Sequence, residues 1–231
     1  MKIYCMSDIH GCLKAFEEAL SMVMGHLEQP DTMLILMGDY IHGGADNYGV
    51  LDKIMQLQNR YGTDKVLALM GNHEEFVLLG ESTVNHMFQS FRGEPANEDK
   101  YIRWMEKLPR YYSAGKTIFV HAGIDEDAGD LWEWGTGEEI FVGKYPAEIG
   151  EIADLDKKVV AGHVGTAEIS GNPNFHDIYY DGKSHYYIDG TVLKSGRIPV
   201  LMVDTKEDTY YRVTETGNRL IRPYDEEKWD F

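Results

Sequence analysis

The amino-acid sequence predicts an α/β fold with mixed sheets, in which parallel βαβ units form the N-terminal half and antiparallel strands form the C-terminal half. Short, nearly continuous apolar runs recur along the chain, a pattern typical of strands that are buried on both faces. Helical spacing of apolar residues follows the first two of these runs. Beyond residue 163 the sequence changes to aromatic and β-branched runs broken by glycine, which favours antiparallel strands and turns.

Five apolar runs predict the buried strands, at residues 3–6, 33–37, 66–70, 118–120 and 159–161. A helix is predicted from Leu13 to Met24, because its apolar residues recur on one face. The same spacing from Val50 to Leu57 predicts a helix between the second and third strands, which completes a second βαβ unit. Further helices are predicted at 74–79 and 99–108, and Pro109 is expected to close the latter.

The 231 residues, 43% of them hydrophobic, are enough to build one core, so we expect a single domain over residues 1–231. The polar stretch at 90–99 is expected either as a loop or as part of a small cap around residues 80–115. The last residues, 224–231, carry four acidic side chains and are expected to form a solvated tail. C-terminal strands are predicted at 178–180, 185–189, 199–204 and 209–213, with turns at 181–182 and 206–208.

The charge balance limits the classes of partner. With 22 basic against 39 acidic residues, the formal charge of −17 argues against a broad cationic surface for nucleic acid. No run approaches the roughly 20 apolar residues that span a bilayer, and the start Met1-Lys2-Ile3-Tyr4 enters a strand without a signal-peptide pattern. We therefore expect a cytoplasmic protein, without a membrane partner, in which Cys5 and Cys12 are reduced packing residues. The sequence does not indicate an oligomeric state.

Polar motifs follow several of the predicted strands. Because ligand-binding groups gather where strands end, at their carboxyl edge, we expect these motifs to form one site. Paired divalent ions about 3.5–4 Å apart need a shared oxygen ligand together with terminal nitrogen and oxygen ligands. Carboxylate, imidazole and amide oxygen suit Mn²⁺, Zn²⁺ or Fe, and we favour manganese. The motifs that predict this two-metal hydrolytic site are Asp8-Ile9-His10-Gly11, Gly38-Asp39, Gly71-Asn72-His73-Glu74, His121-Ala122-Gly123 and Gly162-His163.

With these motifs the sequence resembles the calcineurin-like metallophosphoesterase superfamily, and within it the phosphoprotein-phosphatase branch of serine/threonine phosphatases and symmetrical diadenosine tetraphosphatases. The resemblance runs from Asp8 to Ile188-Asp189-Gly190 and implies a four-layer α/β/β/α sandwich with two divalent metal ions. It implies that His73 acts as general acid on the leaving group, while a hydroxide shared by the two metals attacks phosphorus. It also implies a ligand set: Asp8 and His10 for the first metal, Asp39 for both, and Asn72, His121 and His163 for the second.

The chain departs from the branch after its Gly-Asp motif. The branch continues with x-x-Asp-Arg-Gly, whereas here His42 replaces the acid that orients the general-acid histidine and Gly43 replaces a phosphate-binding arginine. A second expected arginine is absent from the segment 131–135. Three consequences stay open: a different substrate pose, a slower enzyme, or a phosphate clamp from elsewhere, such as Lys144 or Arg92. His42 itself either binds a phosphate, tunes His73 or packs beside the site.

The resemblance favours hydrolysis of phosphoserine or phosphothreonine in proteins. The alternative is a symmetrical dinucleoside tetraphosphatase acting on a nucleotide phosphoanhydride, a branch that also lacks the acid at the position of His42. A preference for a nucleotide would support this alternative, as would an aromatic wall for a nucleobase near Trp132. Packing is nevertheless the favoured role of the aromatic residues concerned, which are Tyr40, Tyr48, Trp132 and Trp134. A third interpretation is a catalytically silent module that binds protein, but the complete ligand set and the intact pair Asn72-His73 argue against it.

Overall fold

The structure, a computed structural model, describes residues 1–80 and 95–225. Its strands in chain order are β1 (Lys2–Met6), β2 (Thr32–Leu36), β3 (Val66–Ala68), β4 (Tyr111–Ala114), β5 (Thr117–Val120), β6 (Lys158–Ala161), β7 (Tyr179–Tyr180), β8 (His185–Tyr187), β9 (Leu201–Asp204), β10 (Thr209–Thr214) and β11 (Gly217–Leu220). Within the described ranges these strands form two mixed sheets, ordered β11-β10-β9-β1-β2-β3 and β4-β5-β6-β8-β7.

Helices flank both sheets. They are α1 (Leu13–Ser21), α2 (Met24–Leu27), α3 (Asn47–Tyr61), α4 (Asn72–Leu79), α5 (Pro95–Met105), α6 (Trp132–Gly135), α7 (Glu138–Gly143), α8 (Thr166–Ile169) and α9 (Val192–Ser195). A 3₁₀ helix over Glu126–Leu131 leads into α6. The strands predicted from the five apolar runs are all confirmed, because each run corresponds to one of β1, β2, β3, β5 and β6.

The alternation of side chains along β1 shows how the layers are arranged. Ile3 lies in a core between the two sheets, where Phe119 of the second sheet also packs. Tyr4, the next residue, faces the other way and packs with Phe16 of α1 in the core beneath the helices. A third core, which includes Trp132, covers the outer face of the second sheet. The predicted four-layer α/β/β/α arrangement is therefore confirmed.

Parallel pairing places the polar motifs at one edge of the molecule. Strands β1, β2 and β3 run parallel, so the segments that follow them leave the first sheet at the same end. Strands β5 and β6 are also parallel and deliver their motifs from the second sheet. The loops after all five strands therefore supply the residues of a single cleft.

Two elements differ from the sequence predictions. The helix predicted from 13 to 24 is two helices, because α1 ends at Ser21 as the turn tightens. The N–H of Met22 donates to the carbonyl of Ala19, and the N–H of Val23 donates to the carbonyl of Leu20. Strand β8 pairs antiparallel with β7 as predicted, but its other neighbour is β6, with which it pairs in parallel. An apolar run indicates that a strand is buried but not which direction it takes. Here the chain passes through α8 and β7 before it enters β8. The hairpins β7-β8 and β9-β10 are antiparallel as predicted.

The predicted cap and tail lie partly outside the described residues. Residues 81–94 and 226–231 are not described, so the cap around 80–115, the tail at 224–231 and the single-domain division stay predictions. Tyr224, at the start of the predicted tail, packs its ring 4.7 Å from that of Phe175. Within the described part of the chain, no helix has the length and apolar character needed to cross a membrane.

Candidate dinuclear metal site

The loops after the strands hold the site residues in an unusual backbone conformation. Eight described residues other than glycine have a positive φ, and five of them belong to the predicted site. Such left-handed conformations are costly for residues with a side chain and cluster at functional sites. They turn the chain sharply, so that side chains from separate strands point inward to a common centre. The five are Asp8, His10, Asp39, His42 and His163, with φ between 47° and 79°.

Asp39 lies at the centre of the site and belongs to two groups of ligands. Its Oδ2 is 3.8 Å from His10 Nε2 and 3.8 Å from His73 Nε2. Its Oδ1 is 3.3 Å from His121 Nε2, and His163 completes this second group. Asp8 extends the first group, since its Oδ1 is 3.9 Å from His10 Nε2. One carboxylate thus faces two clusters, which is the geometry of a bridging ligand.

Asn72 shows that the donor set fits cations. Its Oδ1 lies 3.0 Å from His121 Nε2 and 3.1 Å from His163 Nδ1, so electron-pair donors face one another. If the amide were turned over, its NH₂ would instead donate to both carboxylate oxygens of Asp39 at 3.2 Å. With the oxygen inward, a cation at this point satisfies the amide, the imidazoles and the carboxylate together. The six predicted ligands therefore form a set suited to two divalent ions.

Hydrogen bonds to the backbone orient two of the histidines. His10 Nδ1 is 3.0 Å from the carbonyl oxygen of His42, and His121 Nδ1 is 2.7 Å from that of Met37. A carbonyl only accepts, so both rings carry their proton on Nδ1 and direct the Nε2 lone pair at the centre. Metal-binding histidines are held in this way when a carbonyl or carboxylate fixes the outer nitrogen.

Burial dominates the electrostatics of the ligands. It raises the pKa of Asp39 well above its ordinary value, and the neighbouring carboxylates of Asp8 and Glu74 raise it further. Burial also raises the pKa of Asp8. It lowers the pKa of His121 to about 3 and that of His163 to about 4. The metal-free site therefore favours neutral groups, and a cation is what stabilises its carboxylates in their ionised form.

Affinity for Mn²⁺ is expected to fall as the pH is lowered from about 8 to about 5, because ligands must be deprotonated before they bind. The raised pKa of Asp39 means that this carboxyl keeps a proton to higher pH than an exposed aspartate does. His121, with its pKa lowered to about 3, stays neutral and does not compete for protons in this range. Calorimetric titration in buffers of different ionisation enthalpy measures the protons released per Mn²⁺. Binding without proton release at the acid end would contradict this assignment.

Glu74 is a site residue whose role was not predicted from the sequence. It is fully buried, and its carboxylate accepts the backbone N–H groups of Asp39 and Tyr40 at 2.9 Å and of Gly71 at 3.2 Å. Burial raises its pKa to about 7, while these three hydrogen bonds act in the opposite direction. The carboxylate therefore ties the loop that carries Asp39 to the start of α4. The signal in the sequence was its place at the third position of that helix, where acidic residues bind free N–H groups.

We expect Glu74→Gln to destabilise the fold by about 2–3 kcal/mol, the cost of leaving buried hydrogen-bonding groups unsatisfied. The amide can accept through its oxygen, but its NH₂ would face backbone N–H donors. Urea denaturation of the metal-free chain measures the change. Glu18→Gln, at an exposed position of α1, is the matched control. Equal stability of Glu74→Gln and the wild type would show that the carboxylate does not hold the loop.

The predicted substrate-binding residues have different surroundings. The Nδ1 atom of His42 lies 2.8 Å from Nδ1 of His73, so this side chain contacts the predicted general acid. The ammonium group of Lys144 donates to the carbonyl of Ile124 at 2.6 Å and forms ion pairs with Glu126 and Glu148. Arg92 lies outside the described residues. Phosphate binding by these three side chains stays a prediction.

The packing around Trp132 and Gly43 bears on two further points of the sequence analysis. Trp132 is buried against Tyr111 and Phe141, so it does not offer an exposed face to a nucleobase. Gly43 has a φ of 115°, and a Cβ placed there would lie 2.7 Å from Cδ1 of Leu193. The backbone at this position therefore does not accept the arginine that the branch carries.

We expect Gly43→Arg to lower the free energy of unfolding by about 1–3 kcal/mol, because an L-residue is strained at this φ. Chemical denaturation measures the loss. Gly25→Arg is the control, since a Cβ at residue 25 meets nothing within 4 Å. If Gly43→Arg is as stable as that control, the left-handed conformation at residue 43 is not required by the fold.

Comparison with known proteins agrees with this geometry. The profile of the calcineurin-like phosphoesterases matches residues 1–199. The chain belongs to the calcineurin-like phosphoesterase family. Membership of this family implies hydrolysis of phosphoric esters with divalent metal ions, and the clusters around Asp39 are candidate ligands for such ions.

Relatives within the calcineurin-like phosphoesterases include symmetrical bis(5'-nucleosyl)-tetraphosphatases. That of Nitrosospira multiformis is 27% identical over 129 residues, which are 54% of this chain and 44% of the relative. That of an Acidovorax species is 29% identical over 133 residues, with the same two shares. The chain thus spans about half the length of the curated relatives it matches.

Solved structures share the fold over most of the chain. A cold-active protein tyrosine phosphatase superposes with a TM-score of 0.70 at 16% identity, covering 96% of this chain and 79% of the other. A protein described as a candidate diadenosine tetraphosphatase superposes with a TM-score of 0.64 at 19% identity, covering 92% of both chains. At such identities the likeness shows a common calcineurin-like phosphoesterase fold.

Proposed function

We propose that this chain hydrolyses a phosphoanhydride bond of a dinucleoside polyphosphate with the help of two divalent ions. The observation that carries the proposal is Asp39, whose two carboxylate oxygens face two separate clusters of ligands. Two cations bound there would supply Lewis-acid chemistry, polarising the attacking water and the phosphoryl oxygens. The substrate class is supported by the curated relatives, which are named symmetrical bis(5'-nucleosyl)-tetraphosphatases. These support our alternative better than the serine/threonine phosphatase function that the sequence favoured.

Each residue has a defined part in this proposal. Asp39 would be the ligand shared by the two ions, and each of the remaining ligands would hold one ion. His73 lies beside the centre with its side chain 29% exposed, so its Nε2 is placed to donate a hydrogen bond to a substrate oxygen. The ligand set is Asp8 and His10 for the first ion and Asn72, His121 and His163 for the second, with Asp39 shared.

A second candidate is hydrolysis of phosphoserine or phosphothreonine in proteins. The accessible His73 beside the cluster supports it, because a departing alkoxide needs a proton donor more than a departing phosphate does. The missing carboxylate at residue 42 speaks against it, since no acid orients this histidine. A catalytically silent binding module is disfavoured, because a scaffold has no need for converging ligands.

We also propose that the metal is manganese and that the protein is cytoplasmic. The oxygen and nitrogen donors, without thiolate, suit Mn²⁺, and Zn²⁺ or Fe would fit the same set. Cys5 and Cys12 are both free, which fits a reducing compartment. We keep both assignments as proposals that metal analysis and fractionation test.

The test compares initial hydrolysis rates of the Mn²⁺-loaded chain on diadenosine tetraphosphate and on a phosphoserine peptide. Asp39→Asn is the blank for contaminating activity. We expect faster cleavage of the dinucleotide, with ADP as the sole nucleotide product. Faster release of phosphate from the peptide would establish the second candidate, and rates equal to the blank on both would support the silent module.

A further inference from the structure

His42 and His73 form a hydrogen-bonded pair of imidazoles beside the metal site. Their Nδ1 atoms are 2.8 Å apart, and their ring centroids are separated by 5.0 Å. Two bare nitrogen lone pairs would repel at this distance, so one of the two Nδ1 atoms carries a proton and donates it to the other. Which ring donates decides where His73 carries its own proton.

The backbone holds His42 in this position. Its N–H donates to Oδ1 of Asn47 at 3.2 Å, and its carbonyl accepts from Nδ1 of His10 at 3.0 Å. The residue is 8% exposed and has a φ of 79°. Since the main chain is fixed on both sides and the ring is enclosed, the contact with His73 is built into the loop.

The other nitrogen of His42 shows which ring donates. Its Nε2 is buried and has no hydrogen-bond partner among residues 1–80 and 95–225. A buried N–H donor without an acceptor is rare in native proteins, whereas a buried acceptor without a donor is tolerated more often. If His73 donates to Nδ1 of His42, the proton of a neutral His42 has to be on the unpartnered Nε2. A charged His42 has protons on both nitrogens and therefore also has one on Nε2. Only a neutral His42 with its proton on Nδ1 avoids a buried N–H without an acceptor.

We propose that His42 is a positioning residue that donates its Nδ1–H to Nδ1 of His73 and thereby fixes the proton of His73 on Nε2, the nitrogen facing the metal site. A carboxylate at residue 42 would do the opposite, because it only accepts and so draws the proton of His73 to Nδ1. The replacement of an acid by histidine therefore reverses the tautomer. On this assignment His42 acts through His73, by fixing the position of its proton, and phosphate binding by His42 stays a separate prediction.

The consequence for the reaction rests on the proposed function. Water bonds to phosphorus and gives up a proton to solvent, while the bond from phosphorus to the departing oxygen breaks and that oxygen keeps the electron pair. His73 stabilises the departing oxygen with a hydrogen bond from Nε2–H and retains its proton, as a neutral imidazole does. A departing nucleoside diphosphate is stable without a proton, whereas a serine alkoxide is not. The pair thus favours phosphoanhydrides over alkyl phosphate esters.

The tautomer is measured by long-range ¹H–¹⁵N NMR of the full chain labelled with ¹⁵N-histidine, free of metal and with diamagnetic Zn²⁺. His73→Asn assigns the resonances of that ring. We expect a protonated Nε2 and a bare Nδ1 for His73 in the wild type, a protonated Nδ1 in His42→Asp, and the wild-type pattern in His26→Asp, where His26 is an exposed residue of α2. A protonated Nδ1 of His73 in the wild type would overturn the proposal whether or not the variants fold.

Activity tests the consequence separately. His42→Asp is expected to raise the ratio of phosphoserine peptide to diadenosine tetraphosphate turnover by about tenfold or more. A carboxylate that accepts from Nδ1–H of His73 stabilises a second proton on Nε2, which this ring can give to the departing oxygen, and general acid catalysis contributes about 10²–10⁴-fold where it operates. An unchanged ratio would overturn the selectivity. If the wild type cleaves neither substrate but shows the expected NMR pattern, the proposed function fails and the assignment of the tautomer stands.

Discussion

Replacing Asp39 with asparagine is expected to lower kcat by about 10³-fold or more, equivalent to about 4 kcal/mol of transition-state stabilisation. The substitution removes the carboxylate that, among the described residues, belongs to both ligand clusters. Backbone contacts should survive, because the amide oxygen can still accept the N–H of His73, which lies 3.1 Å from Oδ1. Steady-state rates with saturating Mn²⁺ measure the loss. An Asp39→Asn variant with more than a tenth of wild-type kcat would exclude Asp39 as the bridge.

The same variant should be more stable than the wild type when no metal is present. Burial raises the pKa of Asp39, and a raised carboxyl pKa means that ionisation destabilises the folded state above the ordinary pKa. At pH 8 the neutral amide avoids this cost, so the metal-free variant should have the higher Tm. Added Mn²⁺ should raise the Tm of the wild type more than that of Asp39→Asn. Asp31→Asn, at an exposed residue before β2, is the control and should respond to Mn²⁺ like the wild type.

The second large effect is expected for His73→Asn, which should lower kcat by about 10²–10³-fold while two metal ions stay bound. His73 lies beside the centre, with Nε2 3.8 Å from Oδ2 of Asp39. It is not one of the six predicted ligands, whereas its neighbour Asn72 is. The loss should therefore appear in turnover and leave metal content unchanged. Metal analysis alongside the kinetics separates the two.

The matched control for this variant is His26→Asn, which replaces an exposed histidine stacked on Tyr4 away from the site. It should retain full activity. Full activity of His73→Asn would remove that histidine from the mechanism. If His73→Asn loses a metal ion, His73 is itself a ligand. This outcome would fit the group of possible ligand atoms that His73 forms with His10 and Asp39.

Much of the fold and the ligand set could be predicted because the signals are local. Continuous apolar runs such as 33–37 mark strands buried on both faces, and β2 lies there as one of the inner strands of its sheet. A polar residue directly after such a run has to lie at a strand end, which is where Asp39 and His121 are found. The convergence of these ends then follows from parallel pairing.

What could not be predicted depends on contacts between distant residues. The sequence shows Glu74 next to His73 but not that its carboxylate binds the loop of Asp39, 35 positions away. The direction of β8 depends on the path of the chain around it. The pairing of His42 with His73 needs both the left-handed backbone at residue 42 and the start of α4, and no apolar pattern records either.

The most direct test of the account is titration of the metal-free chain with Mn²⁺, followed by low-temperature electron paramagnetic resonance. We expect two ions per chain with a spectrum of magnetically coupled Mn²⁺, because a shared carboxylate would hold them within about 4 Å of each other. In Asp39→Asn the coupling should disappear. A single ion per chain, or two ions without magnetic coupling in the wild type, would contradict the dinuclear site on which the proposed function depends.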